Sequence, residues 1–268
     1  MSLIANCINL NFTNLNKINF KEDNYWINVN KPENYSSAKV VAIIKKITKA
    51  KKVGHAGTLD PFATGVLAIA VNKSTKQSEL LMKERKGYLA TIRFGEFKDS
   101  DDITGVTESI SKNRISKENF SKILANFIGK ITQTPSKFSA IKINGERAYK
   151  LARQNQEIEM PKRIIEIYKI KLNKFENDFC EIEVECSKGT YIRSLTRSIC
   201  EEANIAGFTE KLQRTKIGYL KIESTILLDE LKNIVNFNGS VKKGSFIALN
   251  VENNCKIDHL DGFNSLES

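Results

Sequence analysis

The chain of 268 residues contains the run Gly54-His55-Ala56-Gly57-Thr58-Leu59-Asp60-Pro61. This run presents one carboxylate, Asp60, between a loop bracketed by two glycines and a proline. Because Pro61 disfavours helical backbone at the preceding residue, we expect Asp60 on an extended or turn-like segment. An Asp-Pro pair is also a common helix start, with Asp as the cap. Two glycines within four residues favour instead a loop that another group approaches closely.

Upstream of this loop the pattern predicts a strand, a turn and a helix. The strand covers residues 25–30, and Asn34 in the following turn tolerates left-handed backbone. Ser36 or Ser37 is the expected cap of a helix that ends near Lys51.

Downstream, strands and helices alternate without βαβ regularity. Alternating apolar residues predict strands over 88–94 and 180–186. A second helix is predicted to begin at Ser116 and to end at Gly129, with an apolar face formed by Phe120, Ile123, Leu124, Phe127 and Ile128. The sequence therefore predicts an α+β fold around a largely antiparallel sheet.

Composition limits the classes of function. The 42 basic residues exceed the 31 acidic ones, and the net charge of +11 favours an anionic partner, a nucleic acid rather than a membrane surface. A simple solubility role for this charge is the alternative. The length and the 41% hydrophobic content suit one large domain or one domain with a small appendage.

Cysteine and histidine usage argues against a metal site or a disulfide framework. The five cysteines form no C-x-x-C pair, so buried, reduced thiols are expected, and the chain has two histidines. No apolar run reaches the length of a membrane span, and the first residues lack the pattern of a secretory signal. We therefore expect a cytoplasmic protein that needs no metal and no cofactor.

The run 54–61, with Ala63, Gly65 and Leu67 after it, resembles the signature G-H-T-G-T-L-D-P-x-A-x-G-x-L of the TruB-type tRNA pseudouridine synthases, with Ala56 in place of Thr. The resemblance covers about four-fifths of the chain. It continues in register through Lys86-Gly87-Tyr88, Gly95, Asp99, Asp102, Gly105, 127–133, Ser139-Ala140, Gly145, 147–149, 186–195 and 212–218.

This resemblance implies a pseudouridine synthase fold, a largely antiparallel mixed sheet flanked by helices. It implies a catalytic domain over 24–224, preceded by an N-terminal extension, 1–23. Within the domain, residues 135–162 correspond to an insertion that grips RNA, with a short helix at 147–153. Residues 225–268 would be a short C-terminal segment, reduced relative to the RNA-binding domain that bacterial relatives usually carry.

The resemblance also implies the reaction, isomerisation of uridine to pseudouridine in the T-loop of tRNA, at position 55. The glycosidic bond breaks, the uracil turns, and the base is rejoined through C5, with nothing gained or lost. A carboxylate can attack the base or the sugar, as acids do in glycosidases, and Asp60 is the candidate nucleophile. Arg193 corresponds to the arginine that pairs with this acid and keeps it ionised.

Five further residues match family positions that contact the substrate. The reacting base must be extruded from folded RNA and held. The resemblance implies Tyr88 as the stacking ring, Leu212 as a wall of the uracil pocket, Tyr191 as a further substrate-binding residue, His55 as an RNA contact, and Asp99 as the organiser of the site's edge.

Each of these residues also has a simpler explanation. Tyr88 and Leu212 suit a hydrophobic core, Tyr191 suits a half-buried anchor, and Arg193 suits a solvated helix charge. A backbone-bonded loop histidine would explain His55, and an Asx turn would explain Asp99.

Two other functions compete with this interpretation. A non-catalytic tRNA-binding or RNA-folding protein on the same scaffold would explain departures from the family such as Phe138 and Arg197, but Asp60, Tyr88, Tyr191 and Arg193 are all present. A hydrolase acting on nucleosides or glycans would need a second carboxylate near Asp60, for which Asp99 could be proposed. The expected partner is the T-stem-loop of tRNA, with no membrane and no obligate protein partner.

Overall fold

The computed structural model describes residues 10–13, 19–143, 145–154, 156–237 and 248–251. The strands are β1 (Leu10–Thr13), β2 (Tyr25–Lys31), β3 (Val53–His55), β4 (Thr64–Val71), β5 (Lys86–Phe94), β6 (Glu96–Lys98), β7 (Thr107–Ile110), β8 (Gly129–Gln133), β9 (Lys142–Ile143), β10 (Glu146–Arg147), β11 (Arg163–Phe175), β12 (Phe179–Cys186), β13 (Gly207–Ile217), β14 (Leu220–Lys221) and β15 (Ala248–Val251). The helices are α1 (Ser37–Thr48), α2 (Ser78–Lys83), α3 (Lys117–Asn126), α4 (Ala148–Arg153), α5 (Ile192–Glu202) and α6 (Leu228–Phe237).

One large sheet organises these elements. Its strand order is β1-β15-β2-β4-β13-β5-β12-β11-β8, with β3 added to β4 and β14 added to β13. The β4–β13 pair is parallel, whereas the other paired strands described in this sheet are antiparallel. The predicted α+β class and the largely antiparallel mixed sheet are confirmed.

Alternation along β12 shows how the sequence builds the core. Cys180, Ile182, Val184 and Cys186 are fully buried, while the glutamates between them are partly exposed. Cys180, Cys186 and Cys200 are free, buried thiols, as predicted, and Cys7 and Cys255 lie outside the described residues. Burial raises the pKa of Cys186 and of Cys200 to about 12, so both thiols stay protonated at neutral pH.

Helix α1 begins as predicted and ends earlier. Asn34 has a φ of 62°, and the Ser36 hydroxyl accepts a hydrogen bond from the Lys39 amide at 3.1 Å. The helix ends at Thr48 rather than near Lys51 because Lys49 adopts left-handed backbone, with a φ of 55°.

Helix α3 is capped by Ser116, as predicted, through a 3.2 Å bond from the Asn119 amide. Phe120 and Leu124 are buried, but Ile128 is 52% exposed. The prediction that Ile128 shares the apolar face is wrong. The helix ends at Asn126, so its periodicity does not extend to Ile128.

The sheet and core continue past residue 224, where we predicted the catalytic domain to end. The Asn30 amide donates to the Ile226 carbonyl, and Ile226 and Leu231 pack in one cluster with Tyr25 and Ile27. Strand β15 pairs with β2. The described part of the C-terminal segment therefore belongs to the same folded unit. Among the helices in the described ranges, none is long and apolar enough to cross a bilayer.

Two glycines with left-handed backbone provide a test of how closely β4 and β13 approach. Gly65 has a φ of 98°, and a Cβ atom there would lie 2.3 Å from the backbone oxygen of Arg214. Gly95 has a φ of 110° and no heavy atom within 4 Å of the same position. We expect Gly95→Ala to lower the free energy of unfolding by about 1–2 kcal/mol. Gly65→Ala should lower it by about 1–3 kcal/mol more than Gly95→Ala does, because the added Cβ also meets the backbone of β13.

Urea denaturation of both variants beside the parent chain checks this expectation. Equal losses of unfolding free energy in the two variants would contradict the close approach of β4 and β13, because both glycines have a similar positive φ.

Candidate active site

Asp60 lies in the loop that joins β3 to β4, outside any helix. Its carbonyl accepts a hydrogen bond from the Ala63 amide at 3.1 Å, which closes a turn through Pro61. The helix-start alternative for the Asp-Pro pair is therefore excluded. The carboxylate is partly exposed, with 31% of the side-chain surface accessible.

Two buried side chains from earlier in the chain hold this loop. The Ser37 hydroxyl, at the start of α1, bonds both the amide and the carbonyl of Leu59, at 2.9 and 3.1 Å. The Lys31 ammonium, at the end of β2, donates to the Pro61 carbonyl at 3.0 Å and to two further carbonyls. Burial lowers the pKa of Lys31 to about 8, and the nearby Asp60 opposes this shift.

Arg214 holds the loop from the opposite side. Its guanidinium donates to the carbonyl oxygens of Gly57 at 3.0 Å, Thr58 at 3.4 Å and Val66 at 2.8 Å, so it bridges the segments on both sides of Asp60. Only 1% of Arg214 is exposed. We assigned it no role from the sequence. Its spacing of two residues from Leu212 was the available signal, because that spacing places both on one face of a strand.

Arg193 fixes the carboxylate itself. Its Nη2 donates to Oδ1 of Asp60 at 3.1 Å, and its Nε lies 2.8 Å from Oδ2 as a charge contact without hydrogen-bond geometry. Arg193 lies in the first turn of α5, and the residue is 2% exposed. The interpretation of Arg193 as a solvated helix charge is therefore excluded.

A second acid completes the pairing. Oδ2 of Asp102 lies 3.1 Å from Nη1 of Arg193, and its other oxygen accepts bonds from Ser100 and Thr104. Burial alone would lower the pKa of Arg193, but the charges of Asp60 and Asp102 outweigh it and raise the pKa. Arg193 therefore stays charged, and Asp60 always faces a cation.

Asp60 opens into a cavity of about 340 Å³. The structure brings four of the predicted residues to its lining, Asp60, Tyr88, Tyr191 and Leu212, with Arg193 behind the carboxylate. Asp60 is the one acid among the described residues that line this cavity. Lys86, Arg147, Arg163 and Arg214 add cationic side chains to the lining.

Tyr88 and Leu212 belong to the core and to the cavity at once. They are 8% and 6% exposed and pack in one hydrophobic cluster, yet both line the cavity. Tyr88 on β5 lies directly opposite Arg214 on β13. Burial is the main cause that raises the pKa of Tyr88, so its hydroxyl stays protonated at neutral pH.

Tyr191 is anchored through its backbone. The buried Gln133 side chain accepts from the Tyr191 amide at 2.9 Å and donates to its carbonyl at 3.0 Å. This leaves the ring beside the cavity, with the Arg163 guanidinium 5.3 Å from its centroid. The predicted insertion forms another wall, because Ala140, Ile141 and Arg147 line the cavity.

The structure does not bring His55 or Asp99 into the cavity lining. His55 lies on β3, paired with Ile69 of β4. Asp99 accepts a bond from the Val106 amide at 2.9 Å, seven residues further on, so it braces a wider loop and does not form the Asx turn that the simpler explanation requires. The bond of that type in this segment runs from the Thr104 amide to Asp102, at 2.9 Å. The acid that reaches Arg193 from this segment is Asp102, three residues after Asp99. The hydrolase alternative therefore has no second carboxylate among the described residues that line the cavity.

We expect Arg214→Gln to loosen the Asp60 loop. The substitution leaves at least two of the three carbonyls unpaired, at a cost of about 2–4 kcal/mol in the free energy of unfolding. Hydrogen exchange should quicken at the Ala56 and Leu59 amides, which bond Ala68 and Ser37 in the parent chain. Arg93→Gln, at a partly exposed arginine paired with Glu210, is the control. Unchanged exchange at both amides would contradict the assigned role.

His55 should remain neutral at pH 6.5. Burial, and then the Arg214 charge, lower its pKa below the ordinary 6.5. The unfolded chain gains a proton here as the pH falls below 6.5 while the folded chain does not, so His55 lowers stability on that side of neutrality. An NMR titration of the imidazole signals measures this pKa, with His55→Gln used for assignment. A midpoint at or above 6.5 would refute the expectation.

Comparison with known proteins places the chain in a family. The model of the TruB family pseudouridylate synthase (N terminal domain) matches residues 45–192. A protein named tRNA pseudouridine synthase B from Rickettsia bellii (strain OSU 85-389) is 43% identical over 218 residues, which cover 81% of this chain and 74% of the relative. A protein of the same name from Rickettsia akari (strain Hartford) is 47% identical over 207 residues, 76% of this chain and 70% of the relative.

Solved structures give the same fold. A chain in the structure of an H/ACA RNP bound to a substrate RNA containing 2′-deoxyuridine matches with a TM-score of 0.61 and 27% identity, over 80% of this chain. A chain of a Cbf5-Nop10-Gar1 complex matches with a TM-score of 0.63 and 27% identity, also over 80%. This chain spans 54% and 55% of the length of those two proteins.

The extent and identity of these matches confirm the resemblance seen in the sequence, together with the predicted fold and enzyme class. The matched segment, residues 45–192, includes Asp60, Tyr88, Asp102 and Tyr191. The chain belongs to the TruB family of pseudouridine synthases.

Proposed function

We propose that this chain isomerises uridine to pseudouridine in the T-loop of tRNA, at position 55, with Asp60 as the nucleophile. The observation that carries the proposal is the contact of buried Arg193 with Asp60, through one hydrogen bond and a 2.8 Å charge contact. It lies at the edge of a cavity whose other lining side chains are aromatic, apolar, hydroxyl-bearing or cationic. The relatives named tRNA pseudouridine synthase B support tRNA as the substrate.

The reaction requires one reactive acid and a site that holds the extruded base. The N1–C1′ bond of the uridine breaks, the uracil rotates, and C5 bonds to C1′ while the C5 proton leaves and N1 gains a proton. Atoms and electrons balance without an oxidant or reductant. A carboxylate can form a covalent adduct that holds one fragment during this sequence. Asp60 is the acid that this chain offers in the cavity.

Arg193 serves as the partner that positions Asp60. Its charged guanidinium attracts the carboxylate and gives it a fixed hydrogen-bond donor. The hydrogen bond from Nη2 to Oδ1 and the charge contact of Nε with Oδ2 hold the carboxylate beside the guanidinium. Asp102 holds the far side of the same guanidinium, so Arg193 cannot rotate away without leaving a buried charge unpaired.

The extruded uracil would lie between Tyr88 and Leu212. Enzymes that act on an extruded base hold it between aromatic and apolar groups. Tyr88 offers a ring that is rigidly packed in the sheet, and Leu212 offers an apolar surface on the neighbouring strand. Tyr191, fixed by Gln133, would close the remaining side.

The two predicted residues outside the cavity would act on the RNA or on the loop. We propose that His55, neutral at physiological pH, contacts the RNA from which the base has been extruded. Asp99 would support the edge of the site indirectly, because it stabilises the loop that carries Asp102.

The insertion, residues 135–162, would grip the T-stem-loop. Its Arg147 lines the cavity together with Arg163, and both are suited to phosphate contacts that fix the RNA without reading its sequence. We propose that the chain does this in the cytoplasm, on tRNA directly.

The decisive substitution is Asp60→Asn, which keeps the shape of the side chain and removes its charge and nucleophilicity. We expect pseudouridine formation in a T-stem-loop transcript to fall by at least about 1,000-fold. Binding of the transcript should stay within about threefold, because phosphate contacts supply most of the affinity. Chemical mapping of pseudouridine and a filter-binding titration measure the two quantities.

Asp178→Asn is the matched control. Asp178 is 63% exposed, follows β11, and pairs with Arg93 away from the cavity. It should behave like the parent chain in both assays. Full activity of Asp60→Asn would remove Asp60 from the mechanism, and an inactive parent chain that still binds the transcript would favour a non-catalytic RNA-binding protein.

A further inference from the structure

The positive charge of this chain is concentrated in one segment. Residues 34–78 hold eight lysines, no arginine and one acid, which is Asp60. This segment, about one-sixth of the chain, therefore carries +7 of the net charge of +11. Basic and acidic residues nearly balance over the remainder.

Seven of these lysines form what we call the lysine patch. It comprises Lys45, Lys46, Lys49, Lys51, Lys52, Lys73 and Lys76, and all seven side chains are exposed. Two come from the last turn of α1, three from the connection between α1 and β3, and two from the short helical segment Asn72–Gln77 that follows β4.

Tertiary contacts bring these three segments together. The Asn72 amide donates to the Lys52 carbonyl at 2.7 Å, and the Asn72 side chain accepts from the Lys52 amide at 3.3 Å. Val53 of β3 pairs with Val71 of β4, and α1 packs against β3. The backbone beneath the patch is therefore fixed.

Few acids balance the patch. Among the described residues, Glu22 is the one acid within 4 Å of a patch lysine, at 3.9 Å from Lys51. Some surface lysines elsewhere are paired more closely, Lys169 with Glu183 at 3.1 Å and Lys174 with Glu176 at 3.6 Å. Seven like charges on a fixed backbone repel one another, and a polyanion would relieve this repulsion.

The patch lies at a defined distance from the catalytic loop. Lys31, opposite Gly65, bonds the Pro61 carbonyl, so the Gly65 end of β4 is the end near Asp60. The patch surrounds the other end of β4, at Val71, six residues away. At about 3.3 Å per residue this separation is about 20 Å. An RNA held at the cavity must continue for several base pairs to reach the patch.

We propose that the lysine patch binds the phosphate backbone of the tRNA helix that continues beyond the T-stem-loop. This inference rests on the proposed function. Double-stranded RNA is recognised through its shape and its phosphates, for which exposed lysines are suited as point charges. The patch segments contain none of the large exposed apolar side chains of the described surface, so they lack the groups that insert into a lipid layer.

The test compares two variants that each lose five positive charges. The patch variant carries Lys→Gln at 45, 46, 49, 51 and 52. The control variant carries Lys→Gln at the exposed positions 117, 122, 169, 171 and 174, on α3 and β11. Circular dichroism and urea midpoints establish that both fold. Each is assayed with full-length tRNA and with the isolated T-stem-loop.

We expect the patch variant to bind full-length tRNA at least about tenfold more weakly, and the slope of log affinity against log salt to fall by about 3 to 4. Its binding of the isolated T-stem-loop should stay within about twofold, and its rate of pseudouridine formation at saturating RNA should be unchanged. The control variant should match the parent chain for both RNAs.

Equal affinity of the patch variant and the parent chain for full-length tRNA would overturn the inference. So would an equal loss for both RNAs, which would place the patch on the T-stem-loop itself. Loss of binding to vesicles containing anionic phosphatidylserine, with tRNA binding intact, would assign the patch to a membrane instead. Failure of the proposed function is distinguishable, because the parent chain would then form no pseudouridine in either RNA.

Discussion

The buried guanidinium of Arg193 is the constraint on which the site depends. A charged group removed from water must have its donors satisfied, or the fold loses several kcal/mol. The two Nη groups of Arg193 meet this need with the carboxylates of Asp60 and Asp102 and the carbonyls of Ser100 and Phe138, while Nε makes a charge contact with Asp60. These partners come from the loops after β3 and β6 and from the insertion. The need to pair the Arg193 guanidinium therefore brings three separate segments together around α5.

The loop that carries Asp60 presents a second problem of the same kind. Its carbonyls have no strand partners, and a buried unpaired carbonyl is costly. The ammonium of Lys31 and the guanidinium of Arg214 supply the missing donors. Gly65 permits the approach of β13 that places Arg214 there. Cations that stabilise the fold thus also surround the reactive acid with positive potential, which suits a site for a polyanionic substrate.

Charged groups have different roles at the surface and in the interior of the molecule. Asp60 at the cavity and Asp102 behind it share one buried arginine, whereas among the described residues six of the seven patch lysines have no acid within 4 Å. Surface charge acts over about 8–10 Å at physiological ionic strength and speeds the encounter with an anion. The buried cluster acts at contact distance and fixes one carboxylate. The surface charge of the lysine patch thus favours the encounter with RNA, and the buried cluster around Arg193 positions the reactive acid.

The sequence by itself determined the helix cap at Ser116, the cap of α1 to within one residue, the alternating strands and the loop that presents Asp60, because each depends on neighbours in the chain. The order of the motifs along the chain indicated the family. The tertiary structure alone decided that Asp102 rather than Asp99 reaches Arg193, that Arg214 braces the loop, and that residues past 224 share the core. These outcomes depend on pairings between segments distant along the chain, and local periodicity carries no information about which strand lies beside which.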